Sequence, residues 1–161
     1  MSAARKTKSA KKRALFTIGY EQAKPAAVLK ELKRAKVETL VDVRAVAASR
    51  RPGFSKTRLA ASLSKAGIDY LHLQKLGTPA EGRAAARRGD TDRLWAIYGK
   101  HIKTAEAQAS LGELLSLIKS GKRAALLCYC RDPQTCHRSR IVANIRKRMQ
   151  VAVKDLIPPL Y

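Results

Sequence analysis

Acidic residues are scarce in this sequence. Twelve Asp and Glu stand against thirty-four Lys and Arg in 161 residues, giving a formal charge of +22. Aromatics make up only 5%, and there are three cysteines. An odd, small number of cysteines excludes a disulfide framework. Two of them, Cys128 and Cys130, lie two positions apart, and in a reducing compartment such clusters read as reactive or metal-binding. Long apolar runs are missing as well. Nothing approaches the roughly 18 uninterrupted apolar residues of a transmembrane helix, and the N-terminus has no apolar segment of secretory-signal length. The expectation is a soluble, cytoplasmic protein with no membrane association.

With 45% hydrophobic residues the chain can bury a core without a staple, and its length suits one domain. Met1 to Arg13 hold six basic residues and no acid, and read as a disordered basic arm. The arm carries +6 of the +22, so residues 14–161, the single folded domain, keep +16. Such a surplus costs self-repulsion and is tolerated beside a polyanion. Nucleic acid or another polyanion is the partner expected; colloidal solubility is the plainer alternative.

Leu15 to Ile18, Thr39 to Val43, Ile68 to Leu73 and Ala124 to Tyr129 read as strands. Between them, Pro25 opens a helix to about Ala35. Ser55 caps another carrying Leu59 and Leu63 and stopped by Gly67, and two more follow over Arg93–Lys103 and Ala105–Lys119. A last helix is expected from Cys136 to Met149. Gly77 to Asp92, rich in Gly, Ala and Arg, reads as a mobile insertion, and nothing is assigned beyond Met149. Alternating strands and helices imply a three-layer α/β fold, a mostly parallel sheet of four or five strands with helices on both faces, Rossmann-like. Ligands of such sheets bind outside the strands' carboxyl ends. There the sequence places Tyr20, Asp42, Arg44, His72, Cys128 and Cys130.

The segment Cys128-Tyr129-Cys130-Arg131-Asp132-Pro133-Gln134-Thr135-Cys136-His137-Arg138 concentrates the chemistry. Cys128, Cys130, Cys136 and His137 suffice as a Cys₃His zinc set. Against zinc stand the tight C-x-C spacing and the adjacency of Cys136 and His137, which should diverge at a helix start. Read as catalysis, Cys136 opens a helix whose dipole, with His137, Arg131 and Arg138, favours a thiolate nucleophile. The C-x5-R loop of phosphatases is absent, since Cys136 follows Cys130 at that spacing. Plain packing is the alternative for Cys128 and Cys136. Asp42, among apolar neighbours, needs a partner, and Arg44 on the same face is nearest. Arg50, in Ser49-Arg50-Arg51, would join an anion pocket beside Cys136.

Thr17-Ile18-Gly19-Tyr20, Leu40 to Arg44, Ser49-Arg50 with Phe54, Ile68 to Leu73 with Leu76-Gly77, and Cys136-His137-Arg138 occur in this order. Together they resemble the domain-of-unknown-function 488 family over about Leu15 to Arg148. The family name carries no reaction, so the resemblance implies a fold and a site, with Asp42, Arg44, Cys128, Cys136, His137 and Arg138 at matching positions. This chain departs from it in having Tyr20 where a histidine is frequent, and Cys130 where Cys-x-Glu is common.

The leading expectation is a Cys/His/Arg anion pocket engaging nucleic acid or a phosphorylated ligand without a cofactor. Cys136, His137 and Asp42 would be catalytic, and Tyr20, Arg44, Arg50, His72 and Arg138 would bind substrate. The alternatives are a non-catalytic nucleic-acid-binding accessory protein with structural cysteines, and a zinc protein using Cys128, Cys130, Cys136 and His137.

Overall fold

The apolar runs of the sequence become five strands in the computed structural model, which describes residues 13–161. They are β1 (Arg13–Gly19), β2 (Thr39–Asp42), β3 (Asp69–His72), β4 (Ala124–Cys128) and β5 (Val151–Leu156). The basic arm expected at the N-terminus lies outside the described residues, apart from Arg13, which opens β1. The sheet order is β3-β2-β4-β1-β5 and every pairing is parallel.

Six helices cover it: α1 (Pro25–Arg34), α2 (Lys56–Lys65), α3 (Ala80–Arg87), α4 (Thr91–His101), α5 (Ala105–Lys119) and α6 (Arg138–Arg146). Alternation along the strands divides the core between two faces. Leu15, Val41 and Leu126 pack with Leu111 and Leu114 of α5 and Ile141 and Ile145 of α6. Phe16, Ile18, Leu40 and Leu127 pack with Val28 and Leu32 of α1 and Leu59 and Leu63 of α2. Covered on both sides, β2 and β4 are buried throughout, as parallel strands usually are. Each buried Leu or Ile contributes about 1.5–3 kcal/mol relative to exposure.

Several expectations are corrected. The stretch Gly77 to Asp92 is no mobile insertion, for most of it is α3 and the first turn of α4. Alanine supplies helix propensity there, while Glu81 in the first turn and Arg87 in the last suit the dipole. Residues after Met149 do form an element, the edge strand β5 beside β1. The last helix begins at Arg138 rather than Cys136. Ser55 sits at the N-cap of α2, yet its hydroxyl bonds Ser49 instead of capping the helix. Among the described residues no helix is long and apolar enough to cross a membrane.

The register sets the strand ends level. Gly19 lies beside Cys128, and Asp42 beside both Leu127 and His72. After β4 the chain turns to α6 on one face, whereas its neighbours β1 and β2 lead to α1 and α2 on the other. Loops that part in this way leave a crevice at the carboxyl edge.

Candidate functional site

A cavity of ≈ 530 Å³ occupies that crevice. Its base holds Cys128, Cys130, Cys136 and His137, and Arg44, Arg50, Arg83 and Arg87 also line it. None of the lining residues is acidic.

The three sulfurs lie within 4.8 Å of one another. His137 Nε2 is 2.7 Å from the Val43 carbonyl, which can only accept, so this nitrogen carries a proton. Nδ1 is thereby turned to the thiols, 3.6 Å from Cys136 Sγ and 3.7 Å from Cys128 Sγ. The expected divergence of Cys136 and His137 does not occur. Cys136 sits in the turn before the helix, where its amide bonds the Pro133 carbonyl, and both side chains fold toward the strand ends.

Arg138 opens α6 with its guanidinium directed back into the core. Nε donates to Cys136 Sγ at 3.3 Å, Nη1 to Thr17 Oγ1 at 3.3 Å and Nη2 to the Cys130 carbonyl. Among the described residues no carboxylate comes within 4.0 Å of it; Asp155 is reached only through the Thr17 hydroxyl. A buried cation needs a counter-charge, and Cys136 is the group in contact able to supply one. Hydrogen bonds from the Cys128 and Cys130 thiols, with His137, hold the Cys136 thiol well below its ordinary value, against the opposing effect of burial. Bonding within the trio and burial push Cys128 up to about 12 and Cys130 higher still, so Cys136 is the first of the three to give up its proton. Burial alone would lower His137, but the hydrogen bond to Cys136 and that thiolate's charge raise it.

Gly19 makes this packing possible. A Cβ there would lie 1.8 Å from the Cys130 carbonyl oxygen, so only glycine lets that carbonyl reach Arg138.

Asp42 and Arg44 pair as the sequence suggested, bidentately at 2.9 and 2.7 Å. Asp42 also accepts the Arg44 amide at 3.1 Å and the Tyr70 hydroxyl at 2.5 Å, while Arg44 Nη1 reaches Tyr20 Oη and the Phe54 carbonyl. Asp42 does not line the cavity; Arg44 and Tyr20 form part of its wall. His72 also lies off the cavity, with Nε2 2.8 Å from the Arg44 carbonyl. Two histidines therefore hold successive carbonyls, Val43 and Arg44, where the chain leaves β2.

Arg50 projects at the rim, exposed. Its neighbour Arg51 turns inward to the Tyr20 and Ala23 carbonyls. Sequence reasoning missed Arg83 and Arg87, which share one face of α3 at i, i+4 spacing, and Thr78 before it. That spacing within an alanine-rich stretch was the available signal.

The three cysteine sulfurs also fit a metal, with His137 Nδ1 beside two of them, Cys128 and Cys136. Zinc–thiolate bonds of about 2.3 Å place tetrahedral sulfurs about 3.8 Å apart, compatible with the observed cluster. A carbonyl that accepts from a histidine's second nitrogen, as Val43 does from His137, is the usual outer support of a zinc-binding histidine.

Fold and site together define a parallel α/β protein with a cysteine–histidine–arginine crevice at its strand ends. The family described as domain of unknown function DUF488 matches residues 24–145, about three quarters of the chain, and the chain belongs to that family. Searches of curated proteins and of solved structures returned no significant match.

Proposed function

We propose that this protein binds a phosphate-bearing ligand in the crevice and attacks an electrophilic centre of it with Cys136. The observation that carries this reading is the carboxylate-free Arg138 bonded to the Cys136 sulfur at 3.3 Å. His137 Nδ1 takes the thiol proton, the thiolate bonds to the electrophilic atom, and the departing group recovers the proton from Nδ1. Arg50, Arg83 and Arg87 supply the cationic rim for phosphate oxygens. Asp42, Tyr20 and His72 act through others: they orient Arg44 and the chain leaving β2. A cytoplasmic setting, where thiols stay reduced, suits such a site.

Two small electrophiles test this, chloroacetol phosphate and uncharged chloroacetone. The phosphorylated reagent should alkylate Cys136 at least tenfold faster, with the advantage lost in the double variant Arg83→Ala, Arg87→Ala. Equal rates would remove phosphate recognition, and binding untouched by Cys136→Ser with no alkylation at all would leave a non-catalytic binding protein.

A second reading is favoured by the cluster of three sulfurs: Cys128, Cys130 and Cys136, with His137 completing the set from beside Cys128 and Cys136, would hold zinc and so fix the loop between β4 and α6. Elemental analysis separates the two. One zinc per chain, released as the thiols are alkylated, supports this reading; metal-free protein with a titrating Cys136 supports the first.

A further inference from the structure

We propose that the crevice takes a nucleoside 5′-phosphate unit, its base lying against Tyr129 and its phosphate among Arg50, Arg83 and Arg87. This rests on the phosphate-bearing ligand proposed above and names its class. Among the described residues five large hydrophobic side chains are exposed, and two of them, Val46 and Tyr129, line this cavity. Tyr129 follows β4 directly, between two cysteines turned to the core, yet is 47% exposed. It is not loose. Its ring meets Tyr20 in a T-shaped contact at 5.4 Å, and Tyr20 stacks on Phe54 at 4.3 Å. A fixed aromatic half open to solvent, in a cavity also lined by Ala45, Ala48 and Ala86, is a stacking platform. Every base has a face to offer it.

Charge complements the other end of such a ligand. Arg50 and Arg87 are exposed, and Arg83 uses one nitrogen on the Thr78 carbonyl while keeping further donors. Aromatic and cationic groups lining one acid-free cavity match a base and a phosphate joined by a sugar. The cavity volume of ≈ 530 Å³ also falls within the roughly 300–1,000 Å³ of small-molecule pockets. A base paired in a duplex would keep its face covered, so the unit is an unpaired one.

The unit has two possible sources, a free mononucleotide or a single strand, and the test has an arm for each. Binding of AMP, of a fluorescent single-stranded 12-mer RNA, of the matching duplex and of inorganic phosphate is measured on the full chain and on Tyr129→Ala and Tyr129→Phe. Tyr129→Ala should weaken AMP or the single strand about tenfold, Tyr129→Phe should not, and phosphate affinity should stay unchanged in both. AMP competing with the strand assigns the free nucleotide as sufficient; strand binding without AMP binding assigns the polymer. Phosphate binding with no effect of Tyr129→Ala on either nucleotide probe overturns the base platform but leaves the phosphate site standing. Duplex binding equal to single-strand binding overturns it too. Failure of phosphate and of both nucleotide probes alike removes the underlying reading as well.

Discussion

Arg138 donates to the sulfur of Cys136 at 3.3 Å, and each of these side chains is 1% exposed. Residues two apart on a helix do not face each other. These two meet because α6 starts at Arg138, leaving Cys136 in the turn before it. The buried guanidinium, bonded otherwise to a hydroxyl and a carbonyl, is a fixed positive charge beside a thiol. The proposed nucleophile and its counter-ion are thus set by a helix boundary one turn long.

The first prediction concerns that cation. Arg138→Met removes the donor while keeping much of the volume, so the Cys136 thiol should titrate higher, toward the ordinary value of about 8.5. Absorbance at 240 nm against pH reads the thiolate directly. Leaving the Cys130 carbonyl without this donor should also cost about 1–3 kcal/mol in urea unfolding. An unmoved midpoint would mean that Arg138 is not the counter-ion.

Stability should also depend on pH in a particular direction. The Cys136 value is lowered in the fold, so its contribution is present above the ordinary thiol range and is lost as pH falls through the depressed folded value. The His137 value is raised, so its contribution is present below about 6.5 and is lost as pH rises through the raised folded value. The stability difference between the natural chain and Cys136→Ser should therefore peak near neutrality and decline toward both acid and alkali. Urea unfolding from pH 5 to 10 measures it, and a flat difference rules out the ion pair.

Much of this arrangement was legible because each element announced itself locally. Four strands were short apolar runs, and the Asp42–Arg44 pair followed from a carboxylate among Leu40, Val41 and Val43. Apart from the Arg83 and Arg87 spacing, what escaped lacked a local signal. The buried positions of α3 are Gly82 and Ala85, too small to mark a hydrophobic period. β5 is an edge strand, largely exposed along Ala152 to Asp155, whose partner β1 is more than a hundred residues away. The placement of His72 and Asp42 off the cavity depends on hydrogen bonds between the ends of neighbouring strands β2 and β3, which spacing along a chain does not encode.

Gly19→Ala tests the support beneath the site. The new methyl would fall 1.8 Å from the Cys130 carbonyl oxygen, a backbone atom that a rotamer change cannot move. The loop must shift, taking that carbonyl from Arg138. Thermal unfolding should show a loss of about 2 kcal/mol or more, and the Cys136 titration should broaden and rise. A variant as stable as the natural chain would show that the β4–α6 loop is free to relocate.

Reactivity of the three thiols separates exposure from ionisation. Cys130 is the most accessible of them, whereas Cys128 and Cys136 are buried. If exposure governed, Cys130 would react first. Alkylation needs the thiolate, however, and Cys136, beside Arg138 and His137, is the thiol of the three that ionises most readily. Iodoacetamide at pH 7 with peptide mapping should therefore label Cys136 first, slowly because the reagent must enter the crevice, then Cys130, with Cys128 last. Raising the pH should accelerate Cys130 far more than Cys136, whose thiolate is already formed. Inorganic phosphate should slow Cys136 by occupying the arginine rim, and the effect should fade with added salt as the arginines are screened. Labelling of Cys130 ahead of Cys136 at neutral pH, unaffected by phosphate, would locate the thiolate elsewhere and leave Cys136 as a packed core residue.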